Sequence, residues 1–225
     1  MKPHLRLAET KTPDGKPMVL FSQDGEFSIN FDGQELMHSA ASASETLLGE
    51  LGLAHLRANQ PARLLIGGLG LGITLRRVLE GAHQDTRVEV VELIPAVVAW
   101  NRTHLAEFLD QALADSRVKV SVGDVVKVIR RARPGAYDAI LLDIDNGPVA
   151  MVAADNARLY TDAGLHAIKA ALRPGGRVVV WSAGSDRRFE ARLKKLGFLV
   201  DPVPAKTHRR AKRANYLLYV ATRLS

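Results

Sequence analysis

The 225-residue chain is 47% hydrophobic and 24% charged, which is ordinary globular material with enough apolar side chains for a full core. It contains no cysteine, so disulfides, thiol nucleophiles and thiolate zinc sites are excluded, and no convincing set of metal ligands is present. No apolar run is long enough to span a membrane and no signal-peptide pattern is visible, so we expect a soluble, cytoplasmic protein.

The first predicted elements are two short strands separated by Asp-Gly turns. Residues 18–21 and 26–31 have the apolar, β-prone composition of strands and predict a small N-terminal β-hairpin element over residues 1–37. After this element the pattern becomes helical, with Ser42 or Ser44 as the residue that caps the helix.

Residues 38–225 then alternate apolar runs with helical patterns, which predicts one α/β domain. The runs are continuously apolar, as in strands buried on both faces of a parallel sheet. We expect a Rossmann-like, doubly wound, seven-stranded, mostly parallel sheet whose last two strands form an antiparallel pair, giving one reversed strand. The predicted strands are 63–67, 87–93, 118–122, 137–143, 177–182, 198–203 and 215–222. The main helical patterns cover 74–80, 95–113, 156–172 and 187–196, and Pro174-Gly175-Gly176 is expected to end the third of these sharply.

A glycine-rich turn follows the first strand of this domain. Gly67, Gly68 and Gly70 lie between the strand and the next helix, where glycines allow a ligand to approach the backbone and the helix offers free N–H groups. The dinucleotide-binding fingerprint requires a third glycine at the position of Ile73, so the strict dehydrogenase spacing fails.

Acidic residues follow the next three strands, and the carboxyl ends of such strands form the ligand crevice of open α/β sheets. Glu92 ends the second strand, where an acid can accept both hydroxyls of a ribose. Asp124, after Gly123, is placed to accept a hydrogen bond from the amino group of an adenine. Asp143 and Asp145 end the fourth strand. Structural alternatives remain: Glu92 and Asp124 as helix caps, Asp145 as part of an Asp-Asn-Gly-Pro turn.

These residues together resemble the class I S-adenosylmethionine-dependent transferases, and within them the spermidine synthase (polyamine aminopropyltransferase) family, over roughly residues 25–222. The resemblance implies that Gly67, Gly68, Gly70 and Gly123 belong to the cofactor site. It implies that Glu92 binds ribose, Asp124 binds adenine and Asp143 holds the attacking amine. Asp145 would assist catalysis, and Gln34, Tyr160 and Trp181 would contact substrate. It also suggests a homodimer paired through the N-terminal element.

Departures from that family concern the pocket for the donor's tail and the diamine. Gly70 stands where the family has an aspartate, Ala43-Ser44 replaces a Tyr-His pair, and Trp181 replaces a glutamine. A carboxylate about 4 Å from that of intact S-adenosylmethionine would cost about 4 kcal/mol at an effective dielectric near 20. That corresponds to roughly thousandfold discrimination, which Gly70 removes. The sequence therefore favours S-adenosylmethionine as cofactor and methyl transfer, by in-line displacement, to an amine or other small nucleophile.

Alternatives stay open because nothing identifies the acceptor. One is aminopropyl transfer from decarboxylated S-adenosylmethionine. Others are an RNA methyltransferase and a non-catalytic nucleoside-binding module.

The net charge of +7 is concentrated late in the chain. Residues 186–213 contain ten Lys and Arg against three acids, which leaves 21 basic and 21 acidic residues elsewhere. Within this stretch, residues 206–213 are a candidate nucleic-acid contact through Lys206, Arg209, Arg210, Lys212 and Arg213. A solvated helix face followed by a loop is the simpler interpretation.

Overall fold

The computed structural model describes residues 4–144 and 158–224 and begins with a four-stranded antiparallel meander. Its strands are β1 (Leu5–Lys11), β2 (Pro17–Gln23), β3 (Glu26–Phe31) and β4 (Gln34–His38). The sequence predicts the two central strands but not the outer pair, because β1 and β4 carry charged and half-exposed side chains that weaken the alternating pattern. The predicted hairpin is thus a larger sheet, and the domain division at residue 37 stays a prediction.

A seven-stranded sheet forms the centre of the protein. Its strands are β5 (Arg63–Gly67), β6 (Arg87–Glu92), β7 (Val118–Val122), β8 (Tyr137–Leu142), β9 (Leu172–Ser182), β10 (Phe198–Ala205) and β11 (Tyr216–Arg223). They are ordered β10-β11-β9-β8-β5-β6-β7, and β11 alone runs against its neighbours β9 and β10. The expected mostly parallel α/β sheet with one reversed strand is confirmed.

Helices connect and cover these strands. They are α1 (Ala43–Leu53), α2 (Ile73–Gly81), α3 (Pro95–Arg102), α4 (Val125–Arg131), α5 (Asp162–Ala171) and α6 (Arg187–Lys195). Ser42 is the N-cap of α1, as one of the two predicted alternatives. In the described part of the chain, none of them combines the length and apolar character needed to cross a bilayer.

Two predicted boundaries were wrong for local reasons. The helix expected over 95–113 ends at Arg102, because Thr103 leaves the helical region and donates its hydroxyl to the Ala99 carbonyl, 2.8 Å away. Strand β9 begins earlier than expected and carries Pro174-Gly175-Gly176 as a bulge, since Tyr137 pairs with Leu172 but Ala139 pairs with Arg177. Helix α5 does end before this bulge, and residues 156 and 157 of its predicted range lie outside the described residues.

Alternate side chains of the sheet enter two different cores, as continuous apolar strands require. Leu64, Ile66 and Leu141 face one core, which α1, α2, α3 and the N-terminal meander share. Leu65 and Ile140 face the other, with α4, α5 and α6. Because the meander packs into the first core through apolar side chains of β2 and β3, it is held over one end of the central sheet.

Candidate active site

A cavity of about 900 Å³ lies where the carboxyl ends of β5, β6, β7, β8 and β9 meet the N-terminal meander. Seven residues singled out from the sequence line it: Gly68, Gly70, Glu92, Gly123, Asp124, Asp143 and Trp181. The meander closes the opposite side with β4, which contributes Glu35, Leu36, Met37 and His38. The carboxyl ends of these five strands therefore converge on one crevice, as the topology predicts.

Three predicted residues are placed elsewhere, and a fourth is not described. Gln34 is exposed at the start of β4, and Gly67 is buried at the end of β5 beneath the glycine turn. Tyr160 is buried in the second core, where its ring packs edge-on against Phe189 at 5.4 Å. The structure does not bring Gln34 or Tyr160 to the described cavity lining, and Asp145 lies outside the described residues.

The glycine turn is shaped by its contact with the end of β8. Gly68 has φ of +87°, and a Cβ placed on it would lie 2.2 Å from the backbone oxygen of Asp143. The Asp143 N–H in turn donates to the Gly67 carbonyl at 2.9 Å. Only glycine fits here, because both the backbone conformation and the close approach exclude a side chain. The turn thereby fixes the position of Asp143 relative to the cavity.

Gly70 is packed against the meander. Its φ is +50°, and a Cβ on it would lie 2.5 Å from the Met37 sulfur. Its carbonyl accepts a hydrogen bond from the Asn101 side-chain amide at 2.8 Å. The thioether of Met37 therefore occupies the space into which a side chain at position 70 would project.

Glu92 is buried, 7% exposed, at the end of β6. Its Oε2 accepts the Leu69 N–H and its Oε1 accepts the Ile94 N–H, both at 2.8 Å. Burial raises the pKa of this carboxyl, while the backbone donors act in the opposite direction. The backbone N–H groups of Leu93 and Gly70 also interact with this carboxylate, which lines the cavity. The helix-cap alternative is incomplete, because Ile94 rather than Glu92 is the N-cap residue of α3.

Asp124 has the capping role that the sequence left open. It is the N-cap of α4, and its Oδ1 accepts the Val126 N–H at 2.7 Å. It also lines the cavity beside Gly123, where a Cβ would meet nothing within 4 Å. The cap leaves the second carboxylate oxygen available, and open space lies next to it. Both interpretations of Asp124 are therefore compatible with its geometry.

Asp143 follows β8 at the floor of the cavity. The Thr74 hydroxyl donates to its Oδ2 at 3.2 Å. The pKa of the Asp143 carboxyl is raised to about 7, chiefly by burial and also by the nearby charges of Glu45 and Glu92, while the Thr74 hydrogen bond acts in the opposite direction. A carboxyl with this pKa exchanges a proton readily at neutral pH, which is the property of a general acid or base.

Glu45 is the main cavity residue that sequence reasoning missed as a site residue. It lies in the first turn of α1, is 8% exposed, and accepts the Ser44 hydroxyl at 2.6 Å. Burial also raises its pKa, despite that hydrogen bond. An acid in the first turn of a helix is normally read as a partner of the helix dipole. The sequence feature that could have identified Glu45 is its position just before the apolar residues of α1 that pack into the core.

Two aromatic rings form one wall. Trp181, at the end of β9, lies 4.7 Å from Tyr216 between ring centroids, and both side chains line the cavity. Tyr216 was not singled out from the sequence. It is brought beside Trp181 by the antiparallel pairing of β11 with β9, in which Leu217 lies opposite Ser182 and Leu218 opposite Trp181.

The cavity has the opposite charge to the protein as a whole. Among the residues that the structure describes, its lining contains six carboxyl groups, and only Lys127 and His38 are basic. The carboxyls belong to Asp14, Glu35, Glu45, Glu92, Asp124 and Asp143. A crevice lined by one sign of charge attracts ligands of the other sign. This cavity is therefore suited to a cationic ligand that also carries a nucleoside-sized apolar part.

Comparisons with known proteins point to one family. Residues 37–187 match the family described as the spermine/spermidine synthase domain. The chain is 32% identical to polyamine aminopropyltransferase 2 of Hyperthermus butylicus over 169 residues, which is 73% of this chain and 48% of that protein. It is 33% identical to putrescine N-methyltransferase 3 of Nicotiana tabacum over 120 residues, which is 52% of this chain and 29% of that protein. The chain thus spans about half the length, or less, of these curated relatives.

Solved structures show the same fold. Spermidine synthase from Thermotoga maritima superposes with a TM-score of 0.71 at 18% identity, covering 96% of this chain and 72% of that one. A spermidine synthase in complex with the transition state analogue AdoDATO gives a TM-score of 0.72 at 19% identity, covering 96% of this chain and 73% of that one.

Proposed function

Because this chain belongs to the spermine/spermidine synthase family, we propose that it transfers an alkyl group from an S-adenosyl sulfonium to the nitrogen of a small polyamine. The relatives that match the larger share of the chain are aminopropyltransferases, so the donor proposed first is decarboxylated S-adenosylmethionine and the group transferred is aminopropyl. The observation that carries the proposal is a cavity that combines nucleoside-type acceptors with an acidic floor.

The donor's nucleoside fits the half of the cavity formed by β6 and β7. Glu92 would accept the ribose hydroxyls, Asp124 would accept the adenine amino group, and Leu93, Ile94 and Val125 provide apolar walls for the base. The open space at Gly123 leaves room for a planar ring. A sulfonium, when bound, supplies a carbon that is already activated toward displacement, so the protein mainly has to align the groups.

Asp143 would hold the attacking amine and take its proton. At pH values above about 7 its carboxyl is ionised, so it can accept a hydrogen bond from the amine and then the proton that the nitrogen loses. As the nitrogen–carbon bond forms, the carbon–sulfur bond breaks and the electron pair remains on sulfur, which becomes a neutral thioether. The charge of Glu45 acts on Asp143, so the floor would favour an amine whose other nitrogen is protonated while the attacking nitrogen is neutral.

Methyl transfer from intact S-adenosylmethionine is a second candidate, and one feature favours it. Gly70 places no carboxylate in the loop that faces the donor's tail, and Met37 fills that side with an uncharged thioether. The donor's own carboxylate would therefore meet no repulsion there. Part of the family uses this chemistry, since putrescine N-methyltransferases are among the relatives.

The test is a turnover assay with putrescine as acceptor and either donor, with the product identified by mass spectrometry. Aminopropyl transfer predicts spermidine from the decarboxylated donor, and methyl transfer predicts N-methylputrescine from the intact one. Calorimetric titration with both donors and with methylthioadenosine provides a second readout. If no donor binds and neither product forms, the proposal is wrong and a degenerate fold without catalysis becomes the better interpretation.

A further inference from the structure

The basic residues at the carboxyl edge of the sheet form a surface that the proposed reaction does not use. We define the rim surface as Arg187, Arg188, Lys206, Arg209, Arg210, Lys212 and Arg213. The first two begin α6, directly after β9, and the others belong to the loop between β10 and β11. Since β9 and β10 run in the same direction, both segments lie at the sheet edge that holds the cavity.

The loop between β10 and β11 borders the mouth of the cavity. Its Thr207 carbonyl accepts the N–H of Ala43, which directly precedes the lining residues Ser44 and Glu45. Its other end continues into Tyr216, which forms part of the aromatic wall. The loop is therefore anchored at both ends to elements of the site.

All seven side chains of the rim surface are exposed, and within the described part of the chain none of them is engaged in an ion pair. Two basic residues further along α6 differ, because Arg192 pairs with Asp162 and Lys194 with Glu190. No acidic residue follows Asp201 in the sequence, so the loop has no counter-charge of its own. Seven unpaired cations on one edge create a strong positive field, and such a field attracts a polyanion.

We propose that the rim surface binds the phosphate backbone of single-stranded nucleic acid. Five of its seven cations are arginines, whose planar guanidinium groups bind phosphate through two parallel hydrogen bonds. Five of the seven cations lie in an irregular loop rather than on a helix, and such a surface suits flexible single strands better than the major groove of duplex DNA. The loop also lacks the large apolar side chains that insert into a bilayer, so an anionic membrane is the weaker partner.

The experiment measures fluorescence anisotropy of labelled, unstructured RNA and DNA strands of about 20 nucleotides at several salt concentrations from about 50 mM upward. The rim variant carries Arg209→Gln, Arg210→Gln, Lys212→Gln and Arg213→Gln. A matched variant carries Arg57→Gln, Arg130→Gln, Arg131→Gln and Arg133→Gln. These four exposed arginines lie at the opposite edge of the sheet, so both variants lose the same charge. Urea unfolding curves establish that both variants are folded.

We expect the rim variant to bind at least tenfold more weakly at about 100 mM salt, and its log–log salt slope to fall by up to about 3, since each phosphate contact contributes about 0.7. The matched variant should stay within about threefold of the unmodified protein, because its arginines lie away from the binding surface. A variant with Arg209→Lys, Arg210→Lys and Arg213→Lys keeps the charge but loses the paired hydrogen bonds of the guanidinium groups, so its affinity should lie between those of the rim variant and the unmodified protein. Comparing RNA with DNA shows whether the sugar contributes.

Three results would overturn the proposal. One is the absence of binding by the unmodified protein at about 50 mM salt. Another is equal weakening by the rim and matched variants, which would leave only a net-charge effect. The third is rim-dependent binding to vesicles containing phosphatidylserine with no binding to either nucleic acid, which would make the surface a membrane contact. None of these depends on whether transfer activity is found, so this proposal and the proposed function are tested separately.

Discussion

The interior of the cavity and its rim are a short distance apart and opposite in every electrostatic respect. Inside, carboxyl groups such as Glu92 and Asp143 are surrounded by protein, accept hydrogen bonds from fixed donors, and have raised pKa values. At the rim, arginines and lysines such as Arg209 and Lys212 are exposed and form no ion pairs in the described structure.

The difference teaches that net charge and site charge are separate properties. A value of +7 for the chain suggests anionic partners, yet the charged side chains of the described cavity lining are mostly acids, so the cavity is suited to cations. Burial determines which charges carry chemistry, because removing water strengthens each interaction and shifts each pKa, whereas exposed charges are screened by salt. The following predictions test this contrast, beginning with the largest effect.

Removing the charge of one interior acid should nearly abolish transfer, whereas removing four rim charges should not. We expect Asp143→Asn to lower kcat by about a thousandfold, since a positioned general base contributes roughly a hundred- to ten-thousandfold. Affinity for methylthioadenosine, measured by calorimetry, should change by less than about threefold, because Asp143 is assigned to the amine rather than the nucleoside. The rim variant is the control and should keep its kcat. An Asp143→Asn protein with full turnover would remove this residue from the mechanism.

Two glycines of the interior should respond to alanine in opposite ways. Gly68→Ala forces a side chain into a left-handed backbone and against the Asp143 carbonyl, so we expect a loss of about 3 kcal/mol in the free energy of unfolding. Gly123→Ala meets only open space and should change that free energy by less than about 1 kcal/mol. Urea unfolding measures both. If both variants lose the same free energy of unfolding, the close contact between the glycine turn and the end of β8 does not restrict the residue at position 68 to glycine.

The sequence predicted the central sheet well because its signal is local and repeated. Five of the strands were placed within one residue at each end, since continuous Val, Ile and Leu runs bounded by polar residues arise from burial on both faces. The acids at strand ends were found for a related reason. In a parallel sheet the end of a strand in the sequence is also its position in the crevice, so Glu92, Asp124 and Asp143 could be assigned to one site.

What the sequence could not provide is the side of the cavity built by other elements. Glu45 and Tyr216 reach the site through helix packing and antiparallel pairing, and Met37 through an edge strand with little apolar pattern. None of these contacts has a sequence spacing that predicts it. Tyr160 is a separate case, because the family resemblance assigns it to the substrate whereas its side chain lies in the second core, so that role stays a prediction.

The nucleoside half of the interior can be tested with a substitution that keeps size and removes charge. In the unmodified protein both Glu92 oxygens accept a hydrogen bond from a backbone N–H. In Glu92→Gln one of these oxygens becomes an NH₂ group, so two hydrogen-bond donors face each other. We expect methylthioadenosine to bind about thirtyfold more weakly, equivalent to about 2 kcal/mol. Glu89→Gln is the matched control on the same strand, since Glu89 accepts the Tyr137 hydroxyl away from the cavity. If both variants bind equally well, Glu92 does not hold the nucleoside.

The smallest predicted effect concerns pH and stability, and its sign follows from the raised pKa of Asp143. In the folded protein this carboxyl keeps its proton up to about pH 7, whereas in the unfolded chain it loses the proton near pH 3.8, its ordinary pKa. Folding therefore takes up a proton between these pH values, and the group's contribution makes the protein less stable as pH rises from about 4 to about 7.

Asp143→Asn removes that loss of stability, so the variant should gain stability relative to the unmodified protein across this pH window and keep the gain above it. The full shift corresponds to roughly 4 kcal/mol, and because the buried amide retains part of the cost of a polar group, we expect a gain of about 1–2 kcal/mol at pH 8. Urea unfolding at pH 5, 6 and 8 measures it, with Asp24→Asn as the control in an exposed turn whose left-handed backbone asparagine tolerates. If the gain is the same at all three pH values, the pKa of Asp143 is not raised in the folded protein. The charges of the interior and the rim would then differ in position but not in how burial shifts a pKa.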